Sequence, residues 1–354
     1  MIPLGLSLLE QLELPFPRTF LFALIQSFLF GEVKFLTLFL YPLLRSFNII
    51  LFLSALFLLA FPVSQNVFLL LIDLYQKGKP ILDVSVRGSP SIIGGVILIV
   101  LISLVKEKKG ILPLLILLLT LISPLPHPFA ETAFLDVGQG DAILIRSSMS
   151  SSNVLIDTGP PYAYFMLRKE LFSRGIYTID SLIITHDDAD HNGNLDRLKQ
   201  DFTIKEVITE GRDISIGEIV LDHLPAGTFD NDNDNSLIYR MRMNETDFLF
   251  TGDISKTAES VLIRLYDLSE TDVLKVSHHG SYTGSSESFI AHTMPDTAII
   301  STSGMYGHPH YKTRNTLKRY RVEVLTTKEK GTVRYLFFRY ATLRTCAGEF
   351  AIIR

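Results

Sequence analysis

Residues 186–191 read His-Asp-Asp-Ala-Asp-His and directly follow a short apolar run at 182–184. A short aliphatic run bounded by polar residues predicts a buried β-strand. Neutral histidine nitrogen and ionised aspartate oxygen are ligands for zinc, manganese and iron, and a strand end can direct several of them to one point. The alternative is an acidic turn that caps a helix beginning near Asn194. The order of the residues favours a metal site, and a hydrolytic one.

Two later segments repeat the pattern of an apolar run that stops at candidate ligands. The run at 248–250 leads into a Thr-Gly-Asp turn that ends at Asp253, and the run at 273–276 leads into His278 and His279. Taken singly, such a turn is ordinary and a histidine pair is often a surface feature. Because the three segments share one pattern and one order, we expect their side chains to meet at one metal site.

These motifs resemble the metallo-β-lactamase superfamily and, within it, the hydrolase-like domain at the C-terminal end of ComEC-type proteins, the membrane channels for DNA uptake in bacterial competence. The resemblance spans residues 134 to 310. It is carried by FLDVGQGDA at 134–142, LIDTG at 155–159, THDDADHNG at 185–193, NSL at 235–237, TGD at 251–253, HHGS at 278–281 and YGHPH at 306–310.

The resemblance implies an α/β fold, the metallo-β-lactamase αββα sandwich, with a binuclear metal site. The metal ligands that this resemblance implies can be matched to the present sequence residue by residue. They are His186 and Asp188 for the first metal, Asp190 and His191 for the second, Asp253 as the bridge, and one of His278 and His279 to complete the second shell, with the other free to contact substrate.

Two positions depart from the broad superfamily pattern and resemble the ComEC type instead. Asp188 stands where a histidine is usual, and the region around Asn235 replaces the usual mid-domain histidine ligand. More oxygen and less nitrogen among the ligands shifts preference towards harder cations. We therefore expect two divalent metal ions, manganese or zinc.

Two cations at such a site lower the pKa of a shared water molecule and stabilise charge on a phosphoryl oxygen. We expect Asp190 to orient the nucleophile. His308, or the spare member of the histidine pair, with His279 as the candidate, would protonate the leaving oxygen. For His308 and His310 the alternative is a surface turn made rigid by proline.

A further set of polar residues is expected to support the ligands, form turns or contact the substrate, because its members end strands or flank the ligand loops. These residues are Asp136, Asp141, Asp157, Asn235 and Ser281.

The first part of the chain is dominated by leucine, isoleucine, phenylalanine and valine, and its composition changes near 124–128. Its apolar stretches are shorter than the roughly 20 residues that a straight membrane-spanning helix needs. Merging neighbours gives spans at 47–72 and a hairpin at 90–126. A buried soluble core would require polar helix faces, which these stretches lack.

We therefore expect three parts. They are a transmembrane helical region at 1–128 that resembles the last part of the competence membrane domain, a metallo-β-lactamase-like hydrolase domain at 131–340, and a C-terminal tail at 341–354. The chain is shorter than the ComEC-type architecture implies, which points to a fragment or a shortened copy.

Charge alone does not decide the orientation in the membrane. The loop at 106–109 carries three basic residues, and the preceding loop carries the same number at Lys77, Lys79 and Arg87. The resemblance favours a multi-pass protein of the cell membrane with an extracellular metal domain. The single Cys346 fits either side, because one cysteine cannot form an internal disulfide.

The expected function is that of a membrane-anchored, metal-dependent hydrolase, a nuclease or phosphodiesterase that acts on DNA during uptake in natural transformation. The expected partners are single-stranded or double-stranded DNA, membrane lipid and other components of the competence machinery. Residues 131–354 carry 24 Lys/Arg and 31 Asp/Glu, a net charge of −7, which weakens nonspecific binding of a phosphate backbone away from the cations. The alternatives are a cell-surface phosphoesterase for wall polymers or another small substrate, and a non-catalytic channel or assembly component.

Alternating apolar patterns and Gly/Asp turns predict the elements of the second part. Strands are predicted near 132–137, 142–146, 153–157, 181–185, 206–209, 217–221, 236–243, 247–251, 272–276, 297–301, 322–325 and 332–338, and helices near 161–174, 194–199, 256–268, 286–293 and 312–319.

Overall fold

The computed structural model describes residues 129–338, 341–346 and 349–353, together with Glu32–Val33, 49–50, Asp73 and Val86–Arg87. Glu32–Val33 pairs antiparallel with Val86–Arg87. The expected membrane spans lie outside the described residues, apart from these few positions. Within the described part of the chain, no helix is both long and apolar enough to cross a membrane.

The chain divides into two compact units, of which one comprises Met1–Pro124 with Leu171–Gly175 and the other Leu125–Glu170 with Ile176–Arg354. The second unit contains the candidate ligands. Its strands are β1 (Ala130–Phe134), β2 (Ile143–Arg146), β3 (Asn153–Ile156), β4 (Thr178–Ile183), β5 (Thr203–Ile208), β6 (Ile214–Ile216), β7 (Ile219–His223), β8 (Tyr239–Met243), β9 (Thr246–Phe250), β10 (Val273–Lys275), β11 (Thr297–Ile300), β12 (Glu323–Thr326), β13 (Val333–Phe338), β14 (Ala341–Cys346) and β15 (Glu349–Ile353).

Helices and short 3-10 turns connect these strands. The α-helices are α1 (Tyr164–Ser173), α2 (Ala189–Asn192), α3 (Leu195–Asp201), α4 (Lys256–Leu265), α5 (Glu287–Thr293), α6 (Tyr311–Arg319) and α7 (Thr327–Lys330). The 3-10 turns are Ser148–Ser150, Pro161–Ala163, Asp232–Asn235, Ser277–Gly280 and Met305–Gly307.

The strands form two mixed sheets. The first has the order β15-β14-β13-β1-β2-β3-β4-β5, in which β3, β4 and β5 run parallel. The second has the order β12-β11-β10-β9-β8-β7-β6, in which β9, β10, β11 and β12 run parallel. The carboxyl ends of neighbouring parallel strands lie at one edge of their sheet, which is where ligands bind in open α/β sheets.

One core lies between the two sheets because each strand sends alternate side chains to the same face. Phe134 of the first sheet meets Phe250 of the second with ring centroids 6.1 Å apart. Phe248 packs edge-on against Tyr335, 5.2 Å between centroids. These residues belong to one continuous buried cluster that also includes Ile145. Large rings from both sheets therefore fill the interior of a sandwich.

Helices cover the outer face of the second sheet. Leu262 of α4, Ile290 of α5 and Leu317 of α6 are buried in one cluster with Leu274 and Ile300 of the strands beneath them. On the first sheet, α3 lies against β5. The expected α/β sandwich with helices outside two facing sheets is thus confirmed.

Every predicted strand and helix of this unit overlaps an observed one, and the additional elements are short or terminal. The expected tail at 341–354 needs correction, because this segment contains β14 and β15. β14 pairs antiparallel with β13 and thereby satisfies backbone groups that would otherwise lie at a sheet edge. Arg344 of β14 also donates to Glu323 of the second sheet through its Nη2 atom at 2.7 Å.

Phe248→Ala tests the packing between the sheets. Phe248 is fully buried, so its truncation removes apolar contact and leaves a cavity, and we expect a loss of about 3–5 kcal/mol in the free energy of unfolding. Leu265→Ala at a position that is 59% exposed is the control, with an expected change within about 0.5 kcal/mol. Denaturant unfolding of both variants measures the difference, and equal losses would contradict an inter-sheet core centred on this ring.

Candidate metal centre

The loop after β4 is held by the end of the neighbouring parallel strand. Asp157 follows β3 and accepts hydrogen bonds from the Thr185 backbone N–H and hydroxyl, both at 2.8 Å. It does so with a left-handed backbone conformation, at φ +60°. Such a conformation is costly for a residue other than glycine and persists only where surrounding interactions hold it. The carboxylate thus fixes the point from which the cluster at 186–191 departs.

His191 and His279 are oriented in the same way. The Nδ1 atom of His191 lies 2.8 Å from Oδ2 of Asp157, and Nδ1 of His279 lies 3.0 Å from the carbonyl oxygen of Ser301. Because a carbonyl oxygen can only accept, Nδ1 of His279 carries the hydrogen. A histidine whose Nδ1 is held by an acceptor offers Nε2 to a metal. Both rings are essentially inaccessible to solvent.

His186 completes this arrangement from the start of the loop. Its Nδ1 atom lies 3.1 Å from the Thr185 hydroxyl and 3.3 Å from the Ser236 hydroxyl. Burial and the charge of His191 lower the pKa of His186 below its ordinary value. The ring is therefore neutral at physiological pH, as a metal ligand must be.

Asp253 lies between these imidazoles. Its Oδ1 atom is 3.3 Å from Nε2 of His191, and its Oδ2 atom is 3.5 Å from Nε2 of His279. Nε2 of His279 is also 3.1 Å from Oδ2 of Asp190. Two groups, His186/His191/Asp253 and Asp190/His191/His279, each offer ligand atoms within 4.8 Å of one another. The donors predicted from three separate segments do meet in one cluster.

Several buried nitrogen and oxygen atoms of the cluster, each able to bind a metal, have no hydrogen-bond partner within the described residues. They are Nε2 of His186, Nε2 of His191, Oδ1 of Asp253 and Oδ1 of Asp141. A buried polar atom without a partner costs free energy, and such atoms are rare in folded proteins. Imidazole nitrogens and carboxylate oxygens gathered around one space suit a divalent cation. The residues present therefore fit a metal.

Electrostatic interactions keep the carboxylates ionised. Burial alone would raise the pKa of Asp253, but the charges of His279 and His191 outweigh it and hold the pKa well below its ordinary value. Burial would also raise the pKa of Asp190, but the hydrogen bond from His279 and the charges of His191 and His279 together lower it. Burial would lower the pKa of His191, whereas Asp253 and Asp157 raise it well above its ordinary value. Protonated imidazoles and ionised carboxylates thus stabilise each other, and a divalent cation would displace the imidazole protons that point into the cluster.

The two adjacent histidines have different environments. His279 is 1% exposed and lies in the cluster, whereas the side chain of His278 is 31% exposed and its Nε2 atom lies 4.0 Å from Oδ2 of Asp253. Both residues have left-handed backbones, with φ of 49° and 52°, and this local conformation turns successive side chains apart. His278 instead approaches Thr283, 3.2 Å from Nδ1 to the hydroxyl, and His308, 5.9 Å between ring centroids.

Lys275 is a site residue that the sequence reasoning did not single out. It ends β10, is 1% exposed, and places Nζ 2.6 Å from Oδ2 of Asp141 and 3.0 Å from the carbonyl oxygen of Val276. The other carboxylate oxygen of Asp141 lies 3.6 Å from Nδ1 of His279. A lysine inside the otherwise apolar run at 273–276 is the signal that could have identified this buried pair.

Ser236, and not Asn235, faces the cluster. The Asn235 amide is exposed and bonds the Phe229 backbone, accepting from N–H and donating to the carbonyl, each at 2.9 Å. The Ser236 hydroxyl accepts from the Asp253 backbone N–H at 3.1 Å. A Cβ atom at Gly252 would lie 2.6 Å from that of Ser236, so this close approach requires glycine. The sequence prediction placed this site contact at Asn235, and the structure places it at the next residue, Ser236.

The remaining expected residues lie around the cluster. Asp188 is half exposed, with Oδ2 3.5 Å from Nε2 of His186. Asp136 accepts from the Gly138 backbone N–H at 3.3 Å and thus shapes a turn. The Ser281 hydroxyl accepts from Thr283 at 2.9 Å, within its own loop. Burial and the charges of His278 and His279 lower the pKa of His308.

Comparisons with known proteins agree with this geometry. Residues 135–218 match the model of the metallo-beta-lactamase superfamily. The chain is 27% identical over 295 residues to ComE operon protein 3 of Bacillus subtilis, covering 68% of this chain and 38% of that protein. It is 31% identical over 263 residues to Recombination protein 2 of Haemophilus influenzae, covering 67% of this chain and 32% of that protein. These matches confirm the expected relation to competence proteins.

The chain spans about a third of the length of these curated relatives. Among solved structures, it is similar to the metallo-beta-lactamase fold protein YhfI of Bacillus subtilis. That match has 12% sequence identity and a TM-score of 0.42, and it covers 58% of this chain and 99% of YhfI.

Metal loading tests the cluster directly. We expect the metal-stripped full chain to take up about two manganese ions and to gain about 2.7 kcal/mol per bound ion in the free energy of unfolding at a metal concentration of 100 times the Kd. Elemental analysis and denaturant unfolding measure these effects. His191→Ala and Asp253→Asn should lose both, while His292→Ala, a histidine whose Nε2 lies 3.3 Å from the Tyr266 carbonyl oxygen, should keep both. Equal loading of all four proteins would exclude the cluster as the binding site.

Lys275→Met tests the buried ion pair. The change leaves Asp141 buried without its partner, so we expect a loss of about 3–5 kcal/mol in the free energy of unfolding, measured with a chelator present. The double variant Lys275→Met/Asp141→Asn should recover part of this loss. Lys205→Ala is the matched control, because Lys205 makes an ion pair of the same 2.6 Å length with Asp180 but is 65% exposed, and should cost less than about 1 kcal/mol. Similar costs for both lysines would contradict a special role for burial.

Proposed function

Because the chain is a homologue of bacterial competence proteins and carries a metallo-β-lactamase domain in its C-terminal part, we propose that it is a metal-dependent phosphodiesterase that cuts DNA during uptake. The observation that carries this proposal is the convergence of three imidazoles, those of His186, His191 and His279, on Asp253. Bound divalent cations would supply an acidified water molecule and stabilise charge on a phosphoryl oxygen.

We assign the metal ligands from the direction of each donor atom. His186 and Asp188 lie on one side of the cluster, Asp190 and His279 lie on the other, and His191 is close to both groups. Asp253 presents one carboxylate oxygen towards His191 and the other towards His279. We therefore propose that Asp253 would hold both cations. Oxygen donors make up a large share of the set, which favours manganese over a tight zinc site.

The chain's own residues have separate tasks around the reacting phosphate. Asp190 is partly exposed, at 34% of its side chain, and remains ionised beside His279. It is thus placed to accept a proton from the attacking water. His279 uses Nδ1 to hold the Ser301 carbonyl and directs Nε2 into the cluster, so we assign the role of the spare histidine to His278.

His278 and His308 form the open side of the centre. Their rings lie 5.9 Å apart, and the side chain of His278 is partly exposed. The lowered pKa of His308 keeps its ring neutral, so it can donate one hydrogen bond to a phosphate oxygen. His278 is the better candidate to give a proton to the leaving oxygen.

We further propose that the apolar first part of the chain anchors this domain in the cell membrane, with the metal centre on the extracellular side. The support for the anchor is compositional, because residues 1–130 contain long aliphatic and aromatic stretches. An anchored hydrolase at the outer surface would meet DNA as it arrives.

A cleavage assay on the full chain tests the proposed activity. We expect the protein with manganese to cut labelled single-stranded or double-stranded DNA, and Asp190→Asn and Asp253→Asn to reduce the rate by at least about 100-fold, because each change removes a charge from the cluster. Asp196→Asn, an exposed carboxylate on α3, is the control and should keep the wild-type rate.

Phosphorylcholine serves as the second substrate in the same assay. Hydrolysis of phosphorylcholine without any cleavage of DNA would replace the nuclease proposal with a phosphoesterase for small substrates. DNA cleavage that persists in Asp253→Asn would show that the cluster is not the active site.

A further inference from the structure

A row of aromatic rings lies beside the open side of the metal centre. We call Tyr282, His310 and Tyr311 the ring patch. Tyr282 and His310 have ring centroids 5.3 Å apart, and His310 and Tyr311 have centroids 4.6 Å apart. Tyr282 is 56% exposed and Tyr311 is 63% exposed, so both residues are largely accessible from solvent. Exposed flat rings in succession offer stacking surfaces for other flat groups.

The ring patch is fixed to the loop that carries His278 and His279. The His310 backbone N–H donates to the Gly280 carbonyl at 2.8 Å. The Thr313 hydroxyl donates to the Ser281 carbonyl, also at 2.8 Å. A Cβ atom at Gly280 would lie 2.7 Å from Cβ of Pro309, so the two loops are in direct contact. The rings are therefore held at a set position relative to the metal ligands.

The helix that begins at the ring patch is basic. Residues 297–322 contain five Lys/Arg and no Asp/Glu, whereas the rest of 131–354 contains 19 Lys/Arg and 31 Asp/Glu. Lys312, Arg314 and Lys318 of α6 are exposed, and within the described residues none of them makes an ion pair. Arg319, by contrast, is paired with Glu287 at 2.7 Å. An acidic domain thus presents positive charge next to its rings.

Rings and free cations side by side match the chemistry of a single nucleic acid strand. Aromatic side chains stack on unpaired bases, and lysine and arginine neutralise the phosphates that connect them. A duplex keeps its bases stacked inside and offers only phosphates and groove edges, so it would use the cations but not the ring faces.

We propose that the ring patch and the basic face of α6 bind single-stranded DNA and lead it to the metal centre. The bases stack on Tyr282 and Tyr311, and Lys312 and Arg314 contact the backbone. The inference rests on the proposed phosphodiesterase function and assigns a substrate form and a binding surface to it.

Equilibrium binding of fluorescein-labelled oligothymidylate to the metal-free full chain tests the stacking. Tyr311→Ala and Tyr282→Ala should each weaken binding at least about fivefold, while Tyr311→Phe should stay within about twofold of wild type, because it keeps the ring. Tyr177→Ala is the control at another exposed tyrosine, 48% exposed, and should not change the affinity. Circular dichroism and the melting temperature verify that each variant is folded.

The salt dependence of the same binding reports the phosphate contacts. Lys312→Ala should reduce the slope of log K against log salt by about 0.7, the value for one contact to a single strand. Lys199→Ala on α3, also exposed, should leave the slope unchanged. A labelled duplex of the same length should lose affinity with Lys312→Ala but not with Tyr311→Ala.

The outcomes separate this inference from the proposed activity. Unchanged oligothymidylate affinity in both tyrosine-to-alanine variants overturns the inference, even if the wild-type chain cuts DNA. Equal losses in Tyr311→Ala and Tyr311→Phe also overturn it, because stacking would then not be the cause. If oligothymidylate binding depends on the tyrosine rings but the wild-type chain does not cut DNA with manganese present, the binding surface is supported and only the proposed phosphodiesterase activity is overturned.

Discussion

Buried negative charge at the edge where both sheets end is the constraint on which the rest of this domain depends. Asp141, Asp157 and Asp253 are each at most 2% exposed, and an ionised carboxylate is costly to bury unless it is paired or coordinates a metal. Asp157 accepts three hydrogen bonds from the loop after β4, and Asp141 pairs with Lys275. Within the described residues, Asp141 and Asp253 each keep one oxygen without a hydrogen bond. Asp141 already has Lys275 as its partner, whereas Asp253 lies against His191 and His279, so Asp253 is the carboxylate left for a cation.

The same edge carries backbone strain that the sandwich core must support. Asp157, His278 and His279 all have positive φ values, and each such residue costs on the order of 1–3 kcal/mol. The rings packed between the sheets hold the strand ends that carry these residues. Two left-handed residues in succession send His279 into the cluster and leave His278 towards solvent. The strain therefore separates a ligand position from a substrate-facing position within one dipeptide.

The sequence predicts the positions where strands deliver ligands but not the directions of individual side chains. Asp253 and the cluster at 186–191 could be predicted because a strand's apolar run ends at a recognisable residue type. The choice between His278 and His279 could not, since it depends on left-handed backbones that no hydrophobic pattern specifies. Ser236 was missed in favour of its neighbour, because Asn235 ends a 3-10 turn and Ser236 follows it, and the directions of these two side chains depend on a turn that no apolar pattern specifies.

Contacts between residues far apart in the sequence explain the other differences between the predicted and the observed structure. Lys275 at the end of a strand of the second sheet contacts Asp141 beside the first sheet. The sequence shows a single lysine in an apolar run but does not indicate which residue it pairs with. β14 and β15 extend the first sheet because the edge of β13 provides unpaired backbone groups. Such contacts arise only once the two sheets face each other. The net charge of −7 over 131–354 also hides a local reversal, because the basic residues of 297–322 lie in one stretch without acidic ones. A phosphate chain would meet repulsion over most of the domain, except at any bound cations and at α6. Both places are tied to the loop at 278–281, so a polyanion attracted to one is brought to the other.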